Sequence, residues 1–383
     1  MARFYAACTL GLEEVLVDEL HGVEASAIRA RRGGVEFEGD LATGYRACLW
    51  LRSATRVQEE LVRGRVRDRD DLYALAESVD WSLFITPRHT LAVDGAVRDS
   101  FANDTRYPSL VVKDAVCDQF VRFDGARPDV DRDQPDLPLK LVLQRDQAIL
   151  YRDFGGAPLH KRGYREVQHK SPLNEALAAG LVLLSDWDGA GPLVDPMCGS
   201  ATFLVEAAFL AMDRAPGLGR AFAFERWRDT DQEAWQKVYD DAEARAAQGQ
   251  DRRPKLSGND RHPGAIAIAR RALQQAKLTD AVELREGDAR DWQPPFEPEW
   301  VVTNPPYGER LQSDDGTLYE SWRALGNFLH RCRGATAHVL CGDPSLTRHL
   351  GLRADRKIPV HNGPIECRWL RYEVGDGDAD GDA

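Results

Sequence analysis

The chain has 383 residues, of which 43% are hydrophobic and 29% are charged, and its formal net charge is -12. A chain of this length can form roughly two or three domains, each with its own core. The acidic balance argues against a protein that binds nucleic acid over its whole surface, but it leaves local basic patches open. No apolar run is long enough to span a bilayer, so a membrane protein is not expected.

Cysteine usage and the N-terminus bear on the cellular compartment. The seven cysteines are scattered, odd in number and without a CxxC pair, which favours reduced core residues over disulfides or a zinc site. Residues 1–5 lack the apolar core of a signal peptide. We therefore expect a cytoplasmic protein without a bound metal ion.

The first half of the chain alternates strand and helix patterns in two successive blocks, residues 1–52 and 53–157. The first block indicates a small packing subdomain. The second is locally basic, and its run 63–69, which includes Arg65, is a candidate for contacts to phosphates. A solvated strand face is the alternative interpretation of that run.

A further basic run has the sequence LHKRGYR and ends at Arg165. Lys161, Arg162, Tyr164 and Arg165 interleave cations with an aromatic ring, a pattern that suits contacts to an RNA backbone and stacking on its bases. A basic linker between domains would look similar.

Two segments carry no identifiable chemistry. Residues 215–254 look like an insertion, in which Phe222, Phe224 and Trp227 are expected to cover the sheet of the third domain. The tail, residues 375–383, alternates four aspartates with Gly and Ala. It is predicted to be disordered, because it has nothing to bury.

The third domain begins with a short predicted strand that ends at Asp195 and leads through the turn PMCGSAT into a helix. Gly199 would let a ligand approach the backbone closely, and the helix start presents free N–H groups. The turn lacks the glycine pattern of a dinucleotide fingerprint and the Gly-Lys-Ser/Thr of a P-loop. It suits a less anionic ligand with a carboxylate and an amine, which Asp195 could help to hold.

Three later strands also end in polar residues, which are Asp260, Asp288 and Asn304 in chain order. Open α/β sheets bind their ligands at the carboxyl ends of their strands. Asp260 is placed to hold a ribose diol, and Asp288 is placed to accept from an adenine amino group. Either carboxylate alone is more often a turn or cap residue.

The last of these strands stops in the turn Asn304-Pro305-Pro306-Tyr307. The prolines hold the backbone extended, so the Asn304 side-chain oxygen and the Pro305 carbonyl are two fixed acceptors. Acceptors that bind both hydrogens of an exocyclic nucleobase amine would leave its lone pair available for attack on an electrophile. Tyr307 would stack on the extruded base. An ordinary turn that caps a strand is the alternative.

Together these motifs resemble class I S-adenosylmethionine-dependent methyltransferases. The strings NPPYGER, LHKRGYR and KDAVCDQF resemble the THUMP-domain ribosomal RNA guanine-N2 methyltransferases of the bacterial RlmL type, over nearly the whole chain. The resemblance implies an α/β fold, with a ferredoxin-like subdomain (1–52) and an α+β THUMP RNA-binding domain (53–157) ahead of one methyltransferase domain (158–374). That last domain should have a Rossmann-like, mostly parallel sheet with an antiparallel last strand, which an Asn362-Gly363 hairpin signal also predicts.

The resemblance also implies the ligands and the residues that hold them. S-adenosylmethionine is the expected methyl donor and S-adenosylhomocysteine the product. The expected cofactor-binding residues are Asn174, Asp195, Pro196, Cys198, Gly199, Ser200, Thr202, Asp260, Arg261, Asp288 and Ala289. The expected catalytic residues are Asn304, Pro305, Pro306 and Tyr307. The expected RNA-binding residues are Arg65, Lys113, Lys161, Arg162, Tyr164 and Arg165.

The expected reaction is methylation of a guanine N2 amine in 23S ribosomal RNA, either naked or in a large-subunit assembly intermediate. Three alternatives remain open at this point: a transfer RNA guanine-N2 methyltransferase, an adenine-N6 methyltransferase and a non-catalytic RNA-binding protein. One departure from the family pattern concerns Arg261, which follows the expected ribose acid where an apolar residue is commoner.

Overall fold

The structure, a computed structural model, describes residues 1–165, 173–307 and 315–375. The predicted acidic tail after residue 375 and the last three residues of the NPPYGER string lie outside the described part. The described residues fold into two compact units. The N-terminal unit comprises Met1–Ala7, Val17–Leu159 and Gly219–Asp240, and the C-terminal unit comprises Cys8–Leu16, His160–Leu218 and the chain from Asp241 onward. The predicted domain boundaries therefore do not coincide with these units.

The first eight strands are β1 (Ala2–Cys8), β2 (Ser26–Arg31), β3 (Gly34–Gly39), β4 (Ala54–Arg65), β5 (Thr90–Arg98), β6 (Asp129–Val130), β7 (Leu137–Gln144) and β8 (Gln147–Asp153). Over the described residues they form one sheet in the order β2-β3-β1-β4-β8-β7-β5-β6. The helices of this half are α1 (Glu13–Gly22), α2 (Leu41–Trp50), α3 (Arg69–Glu77) and α4 (Arg106–Asp124). Because β1 neighbours β4, the two predicted N-terminal blocks share a single sheet.

Local sequence signals start and end these elements. Asp40 accepts a hydrogen bond from the Thr43 N–H at 2.7 Å and so caps α2, and this bond lowers the pKa of its carboxyl. Gly33 has φ 82° in the β2–β3 turn, a left-handed conformation that glycine adopts without strain. β2 and β3 pair as an antiparallel hairpin across this turn.

The segment Gly219–Asp240 packs within the N-terminal unit, so the expectation that it covers the sheet of the third domain is wrong. Phe224 is fully buried and stacks on Tyr45 with ring centroids 4.5 Å apart. Trp235 meets the Phe224 ring edge-on at 5.0 Å. The error arose because the apolar residues of this segment show what must be buried but not which sheet buries it.

The remaining strands are β9 (Leu193–Asp195), β10 (Leu256–Asp260), β11 (Val282–Glu286), β12 (Trp300–Thr303), β13 (Thr336–Cys341), β14 (Arg356–Asn362) and β15 (Ile365–Glu373). In the described part of the chain they form a second sheet in the order β11-β10-β9-β12-β13-β15-β14. The remaining helices are α5 (Glu175–Leu183), α6 (Thr202–Ala211), α7 (Gln232–Gly249), α8 (Pro263–Ala276) and α9 (Asp315–Leu329).

This second sheet confirms the predicted class I methyltransferase arrangement. The run from β11 to β13 is parallel, and β15 is antiparallel to both β13 and β14. Successive residues of β12 face opposite sides of the sheet. Val302 accordingly joins the core on one side of the sheet and Val301 the core on the other. Both faces of the sheet are therefore covered, and its strand ends remain available for a ligand.

The packing of the segment Gly219–Asp240 predicts a measurable contribution to stability. We expect Phe224→Ala to lower the free energy of unfolding by about 3–5 kcal/mol, because it removes a fully buried ring. Phe123, which is 76% exposed, provides the matched control. Urea unfolding followed by tryptophan fluorescence checks this, and equal midpoints for Phe224→Ala and Phe123→Ala would contradict the assignment.

Candidate active site

A cavity of about 310 Å³ lies at the carboxyl ends of the parallel strands in the C-terminal unit. The sheet order reverses there, since β10 and β11 lie on one side of β9 and β12 and β13 on the other. Open α/β sheets bind ligands at such switch points. The predicted residues that line the cavity are Asp195, Pro196, Cys198, Gly199, Ser200, Thr202, Asp260, Arg261, Asp288, Ala289, Asn304, Pro305, Pro306 and Tyr307.

The glycine turn after β9 forms one wall. Gly199 has φ 54°, and a Cβ at this position would meet no atom within 4 Å. Its N–H donates to Asp260 Oδ2 at 3.0 Å. Thr202 and Phe203, in the first turn of α6, also line the cavity. The turn thus leaves open space beside its backbone next to a helix N-terminus, which suits a ligand with an anionic group.

Asn259 joins two of the loops that surround the cavity to the end of β10. It is fully buried in β10, and its Nδ2 donates to the Pro196 carbonyl at 3.2 Å and to the Gly287 carbonyl at 2.9 Å. The backbone carbonyl of Asn259 accepts from the Cys198 N–H at 2.8 Å. The loops after β9 and β11 are therefore fixed to the end of β10 by one residue.

Asp195 lies at the floor of the cavity and is 2% exposed. Its Oδ1 accepts from the Met197 N–H at 3.1 Å. Burial raises the pKa of this carboxyl to about 7, against the lowering effect of the Thr303 hydroxyl and the Met197 N–H. Burial likewise raises the pKa of the Cys198 thiol well above its usual range, so Cys198 is a wall residue and not a nucleophile.

Asp260 and Asp288 serve as turn residues and also line the cavity. Asp260 Oδ1 accepts from the His262 N–H at 2.9 Å, and Asp288 Oδ1 accepts from the Arg290 N–H at 2.9 Å. A carboxylate has about four acceptor sites. Both side chains therefore retain capacity to accept hydrogen bonds from a ligand, as their predicted roles at the ribose and the adenine would require.

The turn after β12 presents an unsatisfied acceptor. Asn304 Oδ1 is buried and has no hydrogen-bond partner among the described residues. The Pro306 carbonyl, by contrast, accepts from Trp322 Nε1 at 2.8 Å, which fixes the second half of the turn. Buried polar atoms without a partner are rare. Asn304 Oδ1 is therefore a candidate acceptor for a donor on a bound ligand.

Asn174 is the one predicted cofactor-binding residue that does not line this cavity. Its side-chain oxygen accepts from the N–H groups of Ala176 and Leu177, at 2.9 and 3.1 Å, and so caps α5. Asn174 lines a separate pocket with Thr9 and His361. Its role in this structure is to start a helix, and its predicted role at the cofactor finds no support in this geometry.

In the LHKRGYR run, Arg162 and Tyr164 are buried within the C-terminal unit and Arg165 is half-buried there. Arg162 pairs with Glu206 of α6, and the side chains of this pair are 1% and 0% exposed. The Tyr164 hydroxyl donates to Glu206 Oε1 at 2.7 Å, and Arg165 pairs with Glu175 at 3.2 Å. Side chains in these positions hold α5 and α6. Contacts of Arg162, Tyr164 and Arg165 with RNA therefore stay a prediction, which the burial of Arg162 and Tyr164 does not favour.

The other predicted RNA-binding residues lie at or near the surface. Arg65, at the end of β4, and Lys161 are exposed, and Lys113 of α4 is half-buried. Lys113 pairs with Asp114 at 2.5 Å. The structure brings none of these residues into the cavity, so contacts of Arg65, Lys113 and Lys161 with RNA remain predictions.

Several cavity-lining residues were not predicted from the sequence. They are Leu173, Met197, Phe203, His262, Ala265, Ser321, Ala324, Asn362 and Ile365. His262 was within reach of a sequence argument, because it is adjacent to Asp260. Asn362 carried only a turn signal, and its place in the cavity depends on pairing between distant strands.

Membrane-spanning helices and metal-binding clusters are both absent from the described residues. No helix in that part of the chain is long and apolar enough to cross a membrane. No group of three or more His, Cys, Asp or Glu side chains there is arranged to hold a metal ion.

The Arg162–Glu206 pair leads to a prediction about stability. Glu206→Ala should lower the free energy of unfolding by about 3–5 kcal/mol, because it leaves a buried guanidinium without its counter-charge. The matched control is Glu233→Ala, whose exposed pair with Lys237 contributes little. The comparison is between the urea midpoints of the two variants. Indistinguishable midpoints would favour a surface role for the LHKRGYR run.

The raised pKa of Asp195 leads to a prediction about pH. The carboxyl titrates near 3.8 when unfolded and near 7 when folded, so between these values the folded chain binds more protons. The stability that results is fully present below about pH 4 and is lost as pH rises through about 7. Relative to Asp195→Asn, the wild type should therefore lose stability across this window. Unfolding midpoints measured over a pH series test this, and a constant difference would show that Asp195 is ionised throughout.

Comparisons with known proteins agree with this geometry. Residues 162–371 match the RMKL-like methyltransferase domain (UPF0020), residues 66–153 the THUMP domain and residues 3–58 the RlmL ferredoxin-like domain. The ribosomal RNA large subunit methyltransferase K/L of Methylococcus capsulatus is 40% identical over 377 residues, which are 97% of this chain and 51% of that protein. The chain thus spans about half the length of the curated relatives it matches.

Solved structures give the same picture. SMU.472, crystallised with SAH, superposes with a TM-score of 0.89 at 28% identity and covers 98% of both chains. A predicted N6-adenine-specific DNA methylase from Listeria monocytogenes superposes with a TM-score of 0.87 at 29% identity, over 97% of this chain and 96% of its own. From its fold, its site and its family matches, the chain belongs to the RMKL-like methyltransferase family, with RlmL ferredoxin-like and THUMP domains preceding the methyltransferase domain.

Proposed function

We propose that this chain transfers a methyl group from S-adenosylmethionine to the exocyclic N2 amine of a guanine in 23S ribosomal RNA. The observation that carries the proposal is the buried, unpartnered Asn304 Oδ1 in the cavity. An acceptor in this state favours a ligand that brings an N–H donor, because burial without a partner costs about 1–3 kcal/mol. An exocyclic amine is such a donor.

The residues present in the cavity fit the methyl donor. The open backbone at Gly199 and the start of α6 suit its carboxylate. Asp260 suits the ribose hydroxyls and Asp288 the adenine amino group, since both carboxylates can accept further hydrogen bonds. When bound, S-adenosylmethionine supplies an electrophilic methyl group on a sulfonium.

The side chains of the turn after β12 would prepare the amine for attack. Asn304 Oδ1 and the Pro305 carbonyl each accept one N2 hydrogen, which keeps the nitrogen lone pair out of the aromatic ring. The N2 nitrogen then forms its bond to the methyl carbon as the carbon–sulfur bond breaks, and one N2 proton leaves to water. S-adenosylhomocysteine remains as the other product. Tyr307 stacks on the extruded base. Positioning and preorganised acceptors thus supply most of the rate.

The substrate assignment rests on the relatives. The curated proteins that match nearly all of this chain are named for ribosomal RNA of the large subunit, and the chain has a THUMP domain. Guanine N2 is the target expected from the family resemblance, which the NPPYGER and LHKRGYR strings carry in combination. The same two acceptors would also hold an adenine N6 amine, and the name of the Listeria relative points that way. A transfer RNA guanine is the remaining alternative.

The decisive experiment is methyl transfer from labelled S-adenosylmethionine to total RNA from cells that lack this protein, followed by nucleoside digestion and mass spectrometry. We expect N2-methylguanosine in 23S RNA, and we expect Asn304→Ala to lower the rate about a hundred- to thousandfold. Asn327→Ala is the matched control, because Asn327 is an exposed residue of α9 outside the cavity.

Each other outcome changes a defined part of the proposal. The same nucleoside in transfer RNA changes the substrate, and N6-methyladenosine changes the base. If naked RNA gives no product, the assay is repeated on large-subunit precursor particles. Equal rates for Asn304→Ala and Asn327→Ala would remove Asn304 from the mechanism.

A further inference from the structure

We infer that Asn362 is a positioning residue that fixes the ring of Tyr307, with the backbone of Gly342 as the opposing wall. The inference rests on the proposed function, because Tyr307 is the residue proposed to stack on the target base. Asn362 lies at the end of β14, and Gly342 directly follows β13. Both residues are distant in sequence from Tyr307, so their contacts with it come from the fold.

The first contact holds the tip of the ring. Asn362 Nδ2 donates to the Tyr307 hydroxyl at 2.9 Å. Cys367 Sγ lies 3.7 Å from the same hydroxyl, at the long limit for a thiol donor. The hydrogen bond from Asn362 is thus the stronger of the two contacts, and it comes from the β14–β15 hairpin.

The second contact holds the body of the ring. A Cβ added to Gly342 would lie 2.3 Å from Tyr307 Cδ2 and 2.5 Å from Cε2, so the ring rests directly against the glycine backbone. Gly342 is not among the described residues with positive φ. Its backbone therefore does not require glycine, and the Tyr307 ring is the feature that excludes a larger side chain.

The turn itself does not account for the asparagine. Asn-Gly turns favour Asn where the backbone takes a positive φ. In this hairpin Gly363 has φ 63°, whereas Asn362 is not among the described residues with positive φ. The side chain of Asn362 also lines the cavity. Its amide is used to hold Tyr307, and that is the role the geometry assigns.

Holding both ends of the ring matters for a reaction that depends on placement. A ring fixed before the base arrives does not have to be ordered on binding, which lowers the cost of reaching the reactive geometry. Loss of the Asn362 contact should therefore slow transfer to RNA without weakening the cofactor site. Truncation of one neutral hydrogen bond of this kind typically costs about three- to tenfold.

A double-mutant cycle tests this mechanism with Asn362→Ala, Tyr307→Phe and the double variant. We expect each single change to lower kcat/KM for RNA about three- to tenfold. The double variant should match Tyr307→Phe, because that change already removes the bond to Asn362. The Kd for S-adenosylmethionine should stay at its wild-type value, and the melting temperature should fall by no more than about a few degrees, as expected for the loss of one hydrogen bond. Multiplicative losses in the double variant, or an unaffected Asn362→Ala, would overturn the inference.

Two further measurements keep the test independent of folding and of substrate identity. Gly342→Ala should push the ring away and lower kcat/KM more than Asn362→Ala, with Asn327→Ala unchanged. Fluorine NMR of fluorotyrosine-labelled protein, with the Tyr307 signal identified by its loss in Tyr307→Phe, should show that signal shifted or broadened in Asn362→Ala. An unchanged signal contradicts the positioning role even if wild-type protein methylates no RNA, an outcome that would defeat only the proposed function.

Discussion

The site depends on one buried amide. Asn259 is the second-last residue of β10. Its side-chain Nδ2 group donates hydrogen bonds to backbone carbonyls in the loops after β9 and β11. Parallel strands do not by themselves fix the loops that follow them. The Asn259 side chain fixes them, because it bonds to the loops after both neighbouring strands. It is fully buried, so water does not compete for its hydrogen bonds. The glycine turn and the loop at Asp288 take their places relative to Asp260 through this residue.

The backbone of β10 is closely packed against α6 and the glycine turn. A Cβ at Gly258 would lie 2.4 Å from Leu204 Cδ1 and 3.1 Å from Cys198 Sγ, so α6 and the glycine turn pack directly onto the strand. Asn259 fixes the loops laterally, and Gly258 brings the helix down onto the sheet. With α6 in this position, its first turn borders the cavity. The ligand-binding edge is therefore a result of packing in the sheet as much as of the loops themselves.

The sequence was sufficient for the parts of the site that are local. Asp195 and Asp260 end their strands, and Asn304 and Asp288 follow theirs within two residues. The parallel topology then brings all four to one edge. Contacts between distant segments were not accessible in this way. Arg162 looked like a surface cation, because nothing near it in the chain indicates that Glu206 would be buried against it.

The same limit explains the other differences. Phe224 has the apolar side chain of a core residue, but its stacking partner Tyr45 lies in the other half of the chain. Asn362 was read as a turn residue, and its bond to Tyr307 depends on the register of β14 and β15. Local patterns thus predicted which residues end strands and which are apolar. They did not predict which buried partners those residues meet.

The charge of the cavity bears on how RNA could use it. Three aspartates line it, and the basic residues among its described lining are Arg261 and His262 at the exposed rim. Asp195, whose pKa burial raises to about 7, is only partly ionised at neutral pH. The carboxylates of Asp260 and Asp288 still disfavour a phosphate in the cavity, whereas a neutral base can enter. In the proposed reaction the nucleotide therefore presents its base and leaves its backbone outside.

A chain with a net charge of -12 must then hold that backbone through local basic patches. Because Arg162 is buried, the LHKRGYR run supplies less of such a patch than its composition suggests. In the proposed reaction the cation that enters the cavity would be the sulfonium of the methyl donor, and nearby carboxylates favour positive charge.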